Sequence, residues 1–191
     1  AMETRILVLD NNDSFTYNIV QIVKDLGSKV DVYRNDKIAV EEVGKYDKII
    51  LSPGPGVPSE SGILLDVIKT YASKKSIFGI CLGEQAIGEA FGAKLTNLSS
   101  VYHGISSKIK ITKQDEYTFA GLPAEIEVGR YHSWVVDTEG LPECLEVTSE
   151  TEDGLIMGLR HKTYDVRGVQ FHPESVLTPS GKTILENFLK K

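Results

Sequence analysis

Short apolar runs alternate with segments of helical period through the first half of the chain. Residues 5–9, 29–33, 48–51 and 77–80 read as buried strands. Between them, residues 15–26, 62–71 and 84–91 carry the apolar spacing of helices. Asn11, Asn12, Asp13 and Ser14 supply turn and N-cap side chains for the first helix, and Gly27 stands where a C′ residue would close it. Strand–helix–strand alternation implies parallel strands covered on both faces. From Ser106 the pattern changes. The runs IKI, EIEV, WVV, LEVTS, IMGLRH and GVQF are short, rich in strand formers and separated by turns. They predict antiparallel or mixed strands appended to the parallel core, and residues 183–190 predict a closing helix. The expected fold is α/β, an open, mostly parallel twisted sheet with helices on both faces and additional antiparallel strands in the C-terminal half. Residues 1–191 are expected to form a single domain, with ligand at the carboxyl ends of the strands.

Composition narrows the function. A length of 191 residues with 41% hydrophobic content supports a full core. A net charge of −6 gives no electrostatic reason to hold nucleic acid or an anionic membrane surface. No apolar run approaches the roughly 18 residues of a membrane span. The start, AMETRILVLD, lacks the basic and apolar regions of a signal peptide, and Ala1 ahead of Met2 reads as an added residue. Cys81 and Cys144 sit in unlike surroundings and predict no disulfide, hence a reducing, cytoplasmic setting. Cys144, in LPECLEV, reads as an ordinary strand residue.

Cys81 carries the first candidate chemistry. It follows an apolar run, precedes a helix, and is flanked by Gly79 and Gly83 in G-x-C-x-G. This is the nucleophile-elbow pattern with sulfur in place of oxygen. The turn is tight, so its neighbours must be small. It places the sulfur at a helix N-terminus, where an anion is favoured, and aims the Leu82 N–H at a developing oxyanion. A small buried cysteine in an ordinary β–α turn is the competing reading. Near the other end, VQFHPES offers a base. In an extended stretch His172 and Glu174 project to one side, so the carboxylate could orient the imidazole toward a cysteine. His103, His132 and His161 have no carboxylate two residues on and read as structural or ligand-adjacent. No Cys/His spacing resembles a zinc site. The loop SPGPGVP lacks the endings of a Walker or Rossmann loop. Its prolines stiffen it, and with Pro55 lacking an N–H, Gly54 or Gly56 becomes the second oxyanion donor.

Together GICLGEQ, PGPG and QFHPES resemble class I, triad-type glutamine amidotransferases, over nearly the whole chain. DNNDSFTYN, RYHSW and HPESVLT are similar to the glutaminase components of anthranilate synthase and of aminodeoxychorismate synthase. The resemblance implies Cys81 as nucleophile, His172 as base then acid, and Glu174 as orienter. It implies that Gly54, Pro55, Gly56, Gln85, Ser133 and Trp134 hold L-glutamine. It implies ammonia delivery within a hetero-oligomer to a chorismate-using synthase subunit, itself expected to need Mg. No metal or cofactor is expected in this chain. Glu84 departs from the histidine common at its position. A carboxylate there would disfavour a nearby thiolate, and a surface role in pairing with the partner is a further expectation. Three other classes compete: a non-catalytic binding subunit of this fold, a cysteine protease or esterase, and a redox-sensing cysteine.

Overall fold

The computed structural model describes residues 4–191, so Ala1 and the very start of the chain lie outside the described residues. The chain order is β1 (Ile6–Asp10), α1 (Thr16–Asp25), β2 (Val30–Arg34), α2 (Val40–Val43), β3 (Lys48–Leu51), α3 (Leu64–Tyr71), β4 (Ser76–Ile80) and α4 (Leu82–Ala90). Then come β5 (Leu95–Asn97), β6 (Ile105–Ile111), β7 (Glu125–Arg130), β8 (Trp134–Val136), β9 (Leu145–Thr151), β10 (Ile156–His161), β11 (Val166–Val169) and α5 (Gly181–Lys190). Nine strands form one sheet in the order β2-β1-β3-β4-β11-β10-β9-β6-β7, and β5 with β8 forms a separate ribbon. No helix among the described residues is long and apolar enough to cross a membrane.

The first five strands of that order run parallel. Alternate residues of β1 face opposite layers, as the two-residue period of a strand requires. Ile6 and Val8 join a core with Ile19, Val20 and Val23 of α1 and Ile184, Leu185 and Phe188 of α5. Leu7 and Leu9 join a second core with α3 and α4 on the other face. Both faces are therefore covered by helices. The expected helix closure at Gly27 is present as a Schellman motif. Gly27 sits at φ 89°, its N–H bonds the Lys24 carbonyl, and Ser28 N–H bonds the Val23 carbonyl.

Several expectations need correction. GVQF was expected among the appended strands, yet β11 pairs parallel with β4 and antiparallel with β10. It is the seam between the two halves, because a hairpin from β10 returns it alongside β4. WVV forms β8 outside the main sheet, against β5, which lacks a long enough apolar run to be read from sequence. None of Asn11–Ser14 is the N-cap residue of the first helix, although Asp13 Oδ2 accepts from Phe15 N–H at its start. Phe15 is its N-cap residue, and the turn is organised by Asp10, whose Oδ1 accepts from Asn12 N–H, Asp13 N–H and the Thr16 hydroxyl. Helix α4 starts at Leu82, two residues ahead of the expected Glu84. Cys144 lies in the turn before β9, and both cysteines are free.

Candidate active site

Strand β4 stops at Ile80 and α4 begins at Leu82, so the reversal falls on Cys81 alone. Its backbone sits at φ 54°, ψ −103°, a region that strains a residue with a Cβ. Neighbours hold it there. Cys81 N–H donates to the Val169 carbonyl at 2.8 Å, and the Cys81 carbonyl accepts from Gln85 N–H at 3.0 Å. The elbow closes only because its flanks lack side chains. A Cβ on Gly79 would stand 2.5 Å from the Gly83 carbonyl carbon, and one on Gly83 would stand 2.5 Å from the Leu51 oxygen. The sulfur thus meets the N-terminal end of a nine-residue helix, whose partial charge favours an anion.

The chain leaving β11 brings His172, the candidate base. His172 N–H donates to the Gly129 carbonyl at 3.0 Å, and the Thr178 hydroxyl both donates to the His172 carbonyl and accepts from Gly129 N–H. The expected extended run through Glu174 is instead a turn, closed by Ser175 N–H on the His172 carbonyl. The turn still delivers the carboxylate. Glu174 Oε2 lies 3.2 Å from His172 Nδ1, off the straight alignment of a strong hydrogen bond, a looseness common in unliganded sites. Burial disfavours a charged His172, but the Cys81 thiol and then Glu174 outweigh it and push the imidazole up to about 10. Burial raises the Glu174 carboxyl, against the pull of His172. Phe15 and Tyr131 wall the imidazole, with ring centroids 5.1 and 4.8 Å away. Among the four histidines, this one alone meets a carboxylate within an ion-pair distance among the described residues.

A cavity of about 260 Å³ opens beside the sulfur. Gly54, Pro55, Gly56, Gln85, Ser133 and Trp134 all line it, as does Cys81. Leu82 lies behind, with its side chain in the core and its backbone next to the sulfur-bearing residue. The proline-rich loop is anchored by Asn11, whose side-chain Nδ2 donates to the Ser52 carbonyl and whose own N–H donates to the Ser52 hydroxyl. Gly54 presses against Asn11 and Leu82, where a Cβ would fall 2.4 Å from the Asn11 oxygen. That contact sets the loop beside the elbow. His103 and His132 line the cavity, whereas His161 stacks on Tyr164 away from it.

Glu84 is the clearest departure from expectation. It is fully buried, so it has no surface to offer a partner. Gly79 and Gly168 sit opposite each other in β4 and β11 and let α4 lie close, with Gly168 directly against the Glu84 Cα and Cβ. Neither carboxylate oxygen has a hydrogen-bond partner among the described residues. Burial pushes its carboxyl well above the ordinary range, which favours the neutral form over a negative charge set against the sulfur.

Sequence reasoning missed Phe15 and Tyr131, which pack on His172, Tyr102, which lines the cavity, and Gln170, whose Nε2 lies 3.4 Å from Cys81 Sγ. Gln170 was open to discovery, because it precedes His172 by two residues on the continuation of a strand and so shares its side. The aromatic walls come from the antiparallel half and the α1 turn, and carried no motif of their own.

A strained cysteine elbow and a stiff glycine loop line a small cavity, and a separate buried pair sets a carboxylate 3.2 Å from an imidazole. The chain belongs to the glutamine amidotransferase class-I family, whose model matches residues 7–191. It is 49% identical to anthranilate synthase component 2 of Pseudomonas aeruginosa, covering 97% of this chain and 95% of that protein. It is 47% identical to aminodeoxychorismate synthase component 2 of Escherichia coli, covering 97% of this chain and all of that one. Against the longer bifunctional protein TrpGD of Thermotoga maritima, the chain spans 32% of the relative's length. In three dimensions it matches a putative GMP synthase protein from Thermoplasma acidophilum with a TM-score of 0.88 at 29% identity, covering all of this chain and 94% of that one.

Proposed function

We propose that this chain hydrolyses L-glutamine to glutamate and ammonia through Cys81, His172 and Glu174, and hands the ammonia to a synthase subunit that acts on chorismate. The observation that carries it is the strained Cys81 elbow, which opens on the cavity lined by Gly54, Gly56, Gln85, Ser133 and Trp134. His172, with Glu174 beside it, takes the thiol proton, and sulfur attacks as the anion. The thiolate adds to the side-chain carbonyl of glutamine. Leu82 N–H and the N–H of Gly54 or Gly56 receive the oxyanion. As the tetrahedral species collapses, His172 gives its proton to the departing amine and ammonia leaves. Water, deprotonated by His172, then cleaves the thioester and frees glutamate and the thiol. Glu174 orients the ring and balances its charge throughout. Gln85 and the backbone at Ser133 and Trp134 hold the amino-acid end of the substrate. These steps use side chains, backbone amides and water alone.

Ammonia released into neutral water is protonated and loses its nucleophilicity, so transfer needs a docked acceptor. The relatives that this chain covers almost fully are named as components of chorismate-linked synthases. Anthranilate synthase is the leading assignment, in the cytoplasm and as a hetero-oligomer, and aminodeoxychorismate synthase is the second. The test is co-purification with the native partner, followed by glutaminase assay of wild type and Cys81→Ala and identification of the aromatic amine formed from chorismate. Loss of glutaminase in Cys81→Ala with anthranilate from the wild-type complex is expected. Retained glutaminase in that variant would overturn the mechanism, and aminodeoxychorismate as product would move the assignment to the second branch.

A further inference from the structure

A continuous hydrogen-bond chain crosses the floor of the cavity and ends on the sulfur. Its polarity can be read from groups whose roles are fixed by chemistry. Arg130 can only donate, and its Nε lies 3.1 Å from His132 Nε2. His132 therefore accepts at Nε2 and carries its proton on Nδ1, which donates to the Trp134 carbonyl at 3.0 Å. Burial and then Arg130 lower the His132 imidazole to about 4, in keeping with this neutral ring. The Trp134 carbonyl can only accept, so the Gln85 amide must turn its Nε2 toward it, at 3.0 Å. The same Nε2 reaches Gln170 Oε1 at 3.2 Å. With its oxygen so engaged, Gln170 must present its own Nε2 to Cys81 Sγ, and it does so at 3.4 Å.

We propose that Gln170 is a dedicated hydrogen-bond donor to the Cys81 sulfur, stabilising its anionic form, with its amide orientation imposed by Gln85 and the Trp134 carbonyl. This rests on the reading of Cys81 as the nucleophile. Gln170 is completely shielded from water, so no solvent molecule competes for either end of its amide. Its backbone N–H is bonded to the Met157 carbonyl at 2.9 Å, which fixes where the side chain departs. A reversed amide would face Gln85 Nε2 with a second donor and would point an oxygen at the sulfur. The chain also ties the cavity wall at His132–Trp134 to the nucleophile, so the segment assigned to glutamine binding and the attacking atom are held in one register.

The test reads the sulfur directly and does not need turnover. Alkylation of Cys81 by iodoacetamide is followed by mass spectrometry from pH 5 to 9 in wild type and Gln170→Met, with Cys144 as reference in the same molecule. Removing a donor to an anion is expected to slow Cys81 alkylation at pH 6 by about tenfold and to move its pH profile upward. The Cys144 profile stays where it was. In the assembled enzyme, kcat falls and the KM for glutamine changes little. Superimposable Cys81 profiles in the two proteins would overturn the proposal. Should Gln170→Met lose its fold, Gln170→Asn keeps an amide but withdraws it by one carbon, and the same shift is expected. With Gln170 in place, its selectively 15N-labelled carboxamide should shift over the pH range in which Cys81 alkylation rises, and a carboxamide that does not respond would contradict the proposal. Failure of the underlying reading looks different: Cys81 would then be alkylated no faster than Cys144 in wild type, and Cys81→Ala would retain glutaminase.

Discussion

Two glutamates lie close to the Cys81 elbow, and their fates differ. Glu174, at the outer end of the strand seam, is 7% exposed and meets His172 at 3.2 Å. Glu84, in the first turn of α4, is 0% exposed, and neither of its carboxylate oxygens has a hydrogen-bond partner among the described residues. Burial raises both carboxyls. Only one has an imidazole to pull the other way. The difference teaches that proximity to the nucleophile does not assign a role. A buried acid with an imidazole beside it is drawn toward its charged form, whereas a buried acid without one is pushed toward its neutral form under the helix.

The comparison can be broken first at Glu174. Glu174→Gln keeps the shape and removes the charge, and glutaminase kcat is expected to fall by about 10² to 10⁴, as loss of the acid does in other triads. Steady-state assay in the complex measures it, and a fall below about threefold would place Glu174 with Glu84.

The support between the two acids comes next. Gly83→Ala sets a methyl 2.5 Å from the Leu51 oxygen, a backbone atom with nowhere to go. Denaturant unfolding should show a loss of about 1–3 kcal/mol, the range for overpacking a well-packed contact, together with loss of the elbow geometry and activity.

Glu84 sharpens the contrast with the opposite sign. Its carboxyl binds a proton more tightly folded than unfolded, where the ordinary value is 4.5. Its contribution to stability is therefore fully present below pH 4.5 and declines as pH rises toward the folded value. Glu84→Gln removes that decline. Its melting temperature should exceed wild type at pH 8, and the gap should close near pH 4.5. A variant equally or less stable than wild type at pH 8 would mean that Glu84 is ionised and paired. Smallest of all, Cys144→Ser is expected to change stability by about 0.5 kcal/mol or less and leave glutaminase unchanged, since that thiol sits in a turn away from the cavity.

The parallel half was legible because its strands are covered on both faces and read as unbroken apolar runs, as IIL and IFGI show. The elbow was legible for a related reason: backbone contact at Gly79 and Gly83 leaves glycine no substitute. The other half was harder. Strand β5 is three residues long and half exposed, too short to register a period. Strand β11 read as a strand, but its place in the parallel core depends on tertiary pairing with β4 that no local pattern encodes. The pairing of His172 with Glu174 was legible from their spacing, although the backbone between them is a turn. Burial of Glu84 was not, because it depends on the absence of side chains at Gly79 and Gly168, far apart in sequence. The aromatic walls at Phe15 and Tyr131 are likewise products of packing between distant loops.

The central claim is that sulfur, imidazole and carboxylate share one proton economy. Titration of His172 by NMR of 15N-labelled imidazole tests it most directly. The account predicts a midpoint near 10 in wild type, falling by more than a pH unit in Cys81→Ala. A midpoint at the ordinary histidine value of 6.5, unmoved when the sulfur is removed, would contradict it.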